Sequence, residues 1–112
     1  MTGLPGQDSI VSGYQLGYDD GTGGVEVAHK TTWGYVAVVN VTISANAYIA
    51  GATLAIRDGT GAGNTVWSTT VPALGAAADQ NVGFPVVLDA VFETDIRTFL
   101  TANAGTMTVS FR

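Results

Sequence analysis

Apolar and polar side chains change places at every second position through most of this chain. In Val25-Glu26-Val27-Ala28-His29-Lys30 the odd positions carry Val, Val and His. Trp33, Tyr35, Ala37, Val39, Val41 and Ile43 share one parity, against Val36, Val38, Asn40, Thr42 and Ser44, which makes a long strand partly apolar on both sides. Ala52, Leu54 and Ile56 alternate with Thr53, Ala55 and Arg57, and Thr65 to Val71 is rich in β-branched residues around Trp67. Val82, Phe84, Val86 and Leu88 share a face, with Pro85 on the other. Met107, Val109 and Phe111 alternate with Thr106, Thr108 and Ser110. A period of two marks strands with one buried face.

The breaks between these runs are turn sequences. Asp58-Gly59 begins a Gly-rich loop that reaches Asn64, Pro72 to Asp79 is a longer Ala-rich connection, and Asn103-Ala104-Gly105 is a three-residue link ending in Gly. Strands spaced in this way predict one antiparallel β-sandwich, jelly-roll-like, with about seven or eight strands. Phe92 to Leu100 admits two readings. Ile96, Phe99 and Leu100 fall at helical spacing behind Thr94, a suitable N-cap. A strand from Ile96 to Ala102 places Ile96, Leu100 and Ala102 on one side and forms a hairpin with the last strand. The strand is preferred.

Residues 1–24 break the pattern. They hold seven of the fifteen glycines, and their only charges are Asp8, Asp19 and Asp20. Gly is costly to order, yet Leu4, Ile10, Val11, Tyr14, Leu16 and Tyr18 are spread among these glycines. Such a segment is either an arm that orders against a partner or a loose tail. The division expected is an arm over 1–24 and a sandwich over 25–112, with those six apolar residues as partner contacts. The alternation in Tyr14-Gln15-Leu16-Gly17-Tyr18 also leaves a strand open.

Composition narrows the function classes. Hydrophobic residues are 46%, charged residues only 12%, and the mean hydropathy is +0.30. Ordinary domains carry about 25% charged residues, so Thr, Ser, Asn, Ala and Gly must cover this surface. Net charge is −5, and the basic residues Lys30, Arg57, Arg97 and Arg112 are scattered. Phosphate binding requires clustered cations, so neither nucleic acid nor an anionic membrane surface is expected as a partner. Cys is absent, which removes disulfides, thiolate metal sites and Cys nucleophiles. The N-terminus lacks the features of a signal peptide. The apolar run Tyr35 to Val39 is far short of the ~20 residues of a membrane span. A soluble chain made in a cytoplasm is expected.

Candidate chemistry is thin. His29 is the single histidine, and a half-buried strand His with a hydrogen-bonded ring is its expected state. No Gly-x-Ser-x-Gly elbow exists. Asp19-Asp20-Gly21-Thr22-Gly23-Gly24 resembles a fragment of a calcium loop but lacks the alternating carboxylates and the distal Glu. Gly59, Gly61 and Gly63 are followed by Asn64-Thr65-Val66-Trp67, a strand pattern, where a phosphate loop needs Lys then Ser or Thr after its last Gly, and a helix. Asn40-Val41-Thr42 fits a glycosylation acceptor but falls mid-strand. Glu93 and Asp95 form an acid pair without a visible cleft. The expectation is therefore no catalytic residue, no cofactor and no metal.

Two segments carry a resemblance. Ala52 to Val71, a strand, Asp58-Gly59-Thr60, small residues and a second strand, resembles a segment of small β-sandwich virion proteins of tailed bacteriophages. Pro85 to Phe92 and then Ile96 to Phe111 are similar to their closing strands. The likeness runs from about Trp33 onward and supports the strand reading of Ile96 to Ala102. It implies a structural role in the particle: a capsid decoration (cement) protein bound to the major capsid protein as a homo-oligomer, dimer or trimer, on a virion assembled in the host cytoplasm, or a related tail or fibre component. It implies no catalytic residues. The alternative is a tail or fibre module for a receptor or glycan, with Trp33, Tyr35, Tyr48 and Trp67 as candidate aromatic faces. An enzyme is the third reading, with His29, Glu93 and Asp95 to test.

Overall fold

A computed structural model describes residues 13–112. Eight strands follow one another: β1 (Gln15–Asp19), β2 (Val27–Lys30), β3 (Gly34–Ile43), β4 (Ala52–Arg57), β5 (Thr65–Val71), β6 (Val82–Phe92), β7 (Ile96–Leu100) and β8 (Gly105–Phe111). One short helix, α1 (Ala47–Ala50), lies between β3 and β4. The strands form two antiparallel sheets, ordered β1-β8-β3-β6 and β2-β7-β4-β5. Apart from the β4–β5 hairpin, every connection passes from one sheet to the other. That connectivity is an eight-stranded jelly roll, an all-β sandwich.

Burial follows the alternation. Leu54, Ile56, Ile96, Leu100, Met107 and Val109 are fully buried between the sheets, packed with Val36, Val39 and Val41 of β3. Each such side chain contributes about 1.5–3 kcal/mol of transfer free energy. Where two sheets face each other, a period of two is enough to cover one side of each.

Three details depart from the expectations. In β3, Val36 and Val39 are both buried, and the register against β8 slips between Val36 and Val38. Ala37 is the extra residue of a β-bulge, which resets the parity. Trp33 and Tyr35 are thereby turned away from the core side that Val39, Val41 and Ile43 occupy, and Trp33 is 68% exposed. Secondly, β7 is a strand, but it makes no hairpin with β8. It pairs with β2 and β4, and Thr101 to Ala104 carries the chain across to the other sheet. Gly105 sits against the Thr42 carbonyl at that crossing, too close for any Cβ.

Thirdly, the stretch assigned to an arm contains β1, which pairs with β8 in register from Gln15↔Phe111 to Asp19↔Met107. The sandwich therefore begins before residue 25. Leu4, Ile10 and Val11 lie outside the described residues.

The two open sides of the sandwich are closed differently. At the β5/β6 side, Trp67 and Phe84 meet edge to face, ring centres 6.3 Å apart, a favoured aromatic geometry. At the β1/β2 side the closure is polar.

Candidate functional site

β1 and β2 are edge strands of opposite sheets, and a buried hydrogen-bonded chain joins them through β7. Thr98 Oγ1 donates to Asp19 Oδ2 at 2.7 Å, and His29 Nε2 lies 2.8 Å from the same hydroxyl. A carboxylate only accepts, so the Thr98 proton belongs to Asp19 and the hydroxyl accepts from His29 Nε2–H. That assigns the neutral Nε2–H tautomer and leaves Nδ1 facing Gly17, whose missing side chain makes room for the ring. Asp19 Oδ1 accepts from Gly21 N–H at 2.9 Å. Burial pushes the His29 pKa down, and the Asp19 charge offsets this only in part. Thr98 is 0% exposed, so the relay presents no nucleophile to solvent; it is a latch between sheets. The expected half-buried, hydrogen-bonded His29 is what the fold contains.

A second polar cluster covers the outer side of the β2-β7-β4-β5 sheet. Glu26 accepts from Arg57 at 2.8 Å, from Arg97 at 3.4 Å and from Gly61 N–H at 3.1 Å, while Arg97 Nε donates to Asp95 at 2.8 Å. Burial raises the Glu26 pKa, but its hydrogen bonds and the two guanidinium charges outweigh that and hold it below the usual range. The Arg57 guanidinium also lies 4.6 Å from the centre of the Phe99 ring. Asp58 takes the backbone N–H groups of Glu93, Thr94 and Asp95 at 2.9, 2.8 and 3.3 Å. Those bonds overcome burial and depress its pKa.

The motifs weighed from sequence thus resolve into internal contacts. Asp19 and Asp20 each accept from the N–H two residues on, closing the Asp-Asp-Gly turn on itself. Gly61 serves Glu26. Glu93 and Asp95 are not a facing pair, since Asp95 is buried against Arg97 and Glu93 is exposed. Among the described residues no three His, Asp or Glu side chains converge as a metal site requires, and no helix is long and apolar enough to cross a membrane. Tyr48 and Trp67 pack against the core, so Trp33 and Tyr35 are not joined to them in one aromatic surface.

What stands open is a sheet face. On the outside of β1-β8-β3-β6, Leu16 and Val87 are 77% and 72% exposed at its two edges. The rungs between run Leu16↔Ser110, Ser110↔Val38, Val38↔Val87 and Tyr18↔Thr108, Thr108↔Asn40, Asn40↔Pro85. No cation points from these rungs; Asp89 is the carboxylate on the face, and it accepts from the Tyr35 hydroxyl at one corner. Tyr14, Gln15, Leu16, Ala37 and Ser110 line a shallow depression of about 370 Å³ on it. Of the partner residues expected from sequence, Leu16 and Tyr18 lie exposed on this face, and Tyr14 stands half-buried at its end. Sequence reasoning missed the face itself, because it is assembled from four strands that are distant along the chain.

Fold and site together define a charge-poor jelly-roll sandwich with one open sheet face. No family model and no curated protein matches the sequence. Among solved structures, the chain is similar to a protein of Bacillus endospore appendages, a family of disulfide-linked pili, at 12% identity over 88% of this chain and 83% of that one, with a TM-score of 0.38. The chain described here has no cysteine.

Proposed function

We propose that this chain is a structural subunit of a bacteriophage virion, a capsid decoration protein that binds the major capsid protein as a homo-oligomer and stabilises the shell. The observation that carries the reading is the outer face of β1-β8-β3-β6, where Thr, Ser and Asn lie between exposed Leu16 and Val87. Desolvating neutral groups costs far less than desolvating ions, so this face favours packing against a neighbour. Four strands about 4.8 Å apart and on average about eight residues long make a face of roughly 19 by 27 Å. That is small beside the ~800 Å² per partner of a standard interface. Single contacts of this size are weak, and repetition over a symmetric shell makes them tight. The resemblance of Ala52–Val71 and of the closing strands to phage virion proteins supports a role in the virion.

The test is particle resistance. Shells carrying the protein should survive heat and denaturant better than shells without it, and electron microscopy should place its density on the outer shell. Leu16→Lys with Val87→Lys should abolish attachment while leaving the unfolding midpoint unchanged. Equal resistance with and without the protein would refute the cement role.

The exposed indole of Trp33 favours a second reading, a tail-tip module for a receptor or glycan. Density confined to the tail, with binding to host cell-wall glycans, would establish that reading over the first.

A further inference from the structure

The four basic residues divide into two pairs. Arg57 and Arg97 are held by Glu26 and Asp95. Lys30 and Arg112 form no ion pair among the described residues, in a chain with nine acids and four bases. Both lie instead over aromatic rings. Lys30 Nζ is 5.7 Å from the centre of the Trp33 ring, and the Arg112 guanidinium is 5.0 Å from Tyr14 and 5.5 Å from Tyr35. Tyr14 and Tyr35 meet edge to face at 6.3 Å.

The two groups are neighbours. A Cβ on Gly34 would come within 3.0 Å of Lys30 Cδ and 2.9 Å of the Arg112 carbonyl. Lys30 and the end of β8 therefore flank one residue at the tip of β3. Trp33 stands 68% exposed beside them. Cations already positioned over rings, here exposed Arg112 and half-buried Lys30, lose little side-chain freedom on binding, and Trp, Tyr and Arg are the residues that dominate interface energetics.

We infer that this tip is a docking surface for an acidic protein partner, whose Asp and Glu carboxylates pair with Lys30 and Arg112 while Trp33 covers the contact. The inference rests on reading the chain as an assembly subunit, and it says which end meets the shell. Free carboxylates are the complement that Lys30 and Arg112 lack among the described residues.

The probe is poly-L-glutamate, titrated into the full-length protein and followed by tryptophan fluorescence at low and moderate salt. Saturable binding that weakens steeply with salt is expected, with at least a tenfold loss in Lys30→Gln/Arg112→Gln and a partial loss in each single variant. Thermal unfolding of the variants confirms that they remain folded. Equal binding by the double variant overturns the inference. So does polygalacturonate binding more tightly than poly-L-glutamate, which would make the partner an acidic glycan. On particles the two ideas separate. Normal attachment of the double variant removes the docking surface and spares the assembly reading. Failure of the unaltered protein to attach removes the assembly reading and leaves the surface to the poly-L-glutamate result.

Discussion

Thr98 Oγ1 donates its proton to Asp19 Oδ2 at 2.7 Å, and this one bond ties the edge strand of one sheet to the interior of the other. With His29 on the same hydroxyl, three polar side chains take the place that Trp67 and Phe84 hold on the opposite side. The two closures differ in what disturbs them.

Thr98→Val keeps the shape and removes the shared hydroxyl. Asp19 Oδ2 loses its donor and His29 Nε2 its acceptor, at the closed edge between the sheets. Leaving buried groups unpaired costs about 1–3 kcal/mol, so the urea midpoint should fall by that measure. The loss should be strongly non-additive with His29→Gln in a double-mutant cycle. Additive losses would show that the three groups do not act as one chain.

The same latch makes stability depend on pH. The His29 pKa is lowered in the fold, so below the ordinary value of about 6.5 the unfolded chain binds the extra proton more readily than the folded one. The His29 contribution is complete above that value and is lost as pH falls through it towards the folded pKa. Glu26 and Asp58, whose pKa values are also lowered, lose their contributions only at more acidic pH, as it falls below the ordinary carboxylate values. Chemical unfolding between pH 7.5 and 5 should therefore show declining stability, and His29→Gln should flatten the decline.

Two glycines give opposite expectations for the same substitution. Gly105 has φ 154° and lies against the Thr42 carbonyl, so Gly105→Ala must push β8 from β3 where the chain crosses between sheets. A loss above ~2 kcal/mol is expected on overpacking grounds. Gly63 has nothing within 4 Å of a built Cβ and no positive φ, so Gly63→Ala should change the melting temperature little. Differential scanning calorimetry of the pair checks both.

Truncation measures where the body of the protein begins. A chain starting at Gly13 keeps every described strand and should unfold cooperatively. Removing residues 1–24 deletes β1, bares the outer edge of β8 and leaves Thr98 and His29 without Asp19. That shorter chain should lose its cooperative transition in circular dichroism. A sharp, unshifted transition would mean that β1 is dispensable.

Much of this was written into the pattern of residues. Alternation located β4 and β8 within a residue or two, because a strand between two sheets needs one apolar face and shows it locally, and the β-branched run around Trp67 located β5. The half-buried, hydrogen-bonded state of His29 followed from its parity with Val27. The all-β class, the turn at Asp58-Gly59 and the outward parity of Pro85 were legible for the same reason. Long-range pairing was not. Nothing local to Ile96–Phe111 tells a hairpin from a crossing between sheets, since both require a short Gly-ended turn. The bulge at Ala37 arises where β3 must match β8, and it alone turns Trp33 outward. The partnership of Asp19 with Thr98 joins residues 79 positions apart. It made a strand of Gln15–Asp19 within the presumed arm, because a Gly-rich segment with little order of its own is held by what it pairs with. Sequence by itself determined that this protein is a charge-poor β-sandwich. Which faces remained free to meet another molecule was decided only when the sheets closed, because exposure belongs to the packed chain and not to any residue in it.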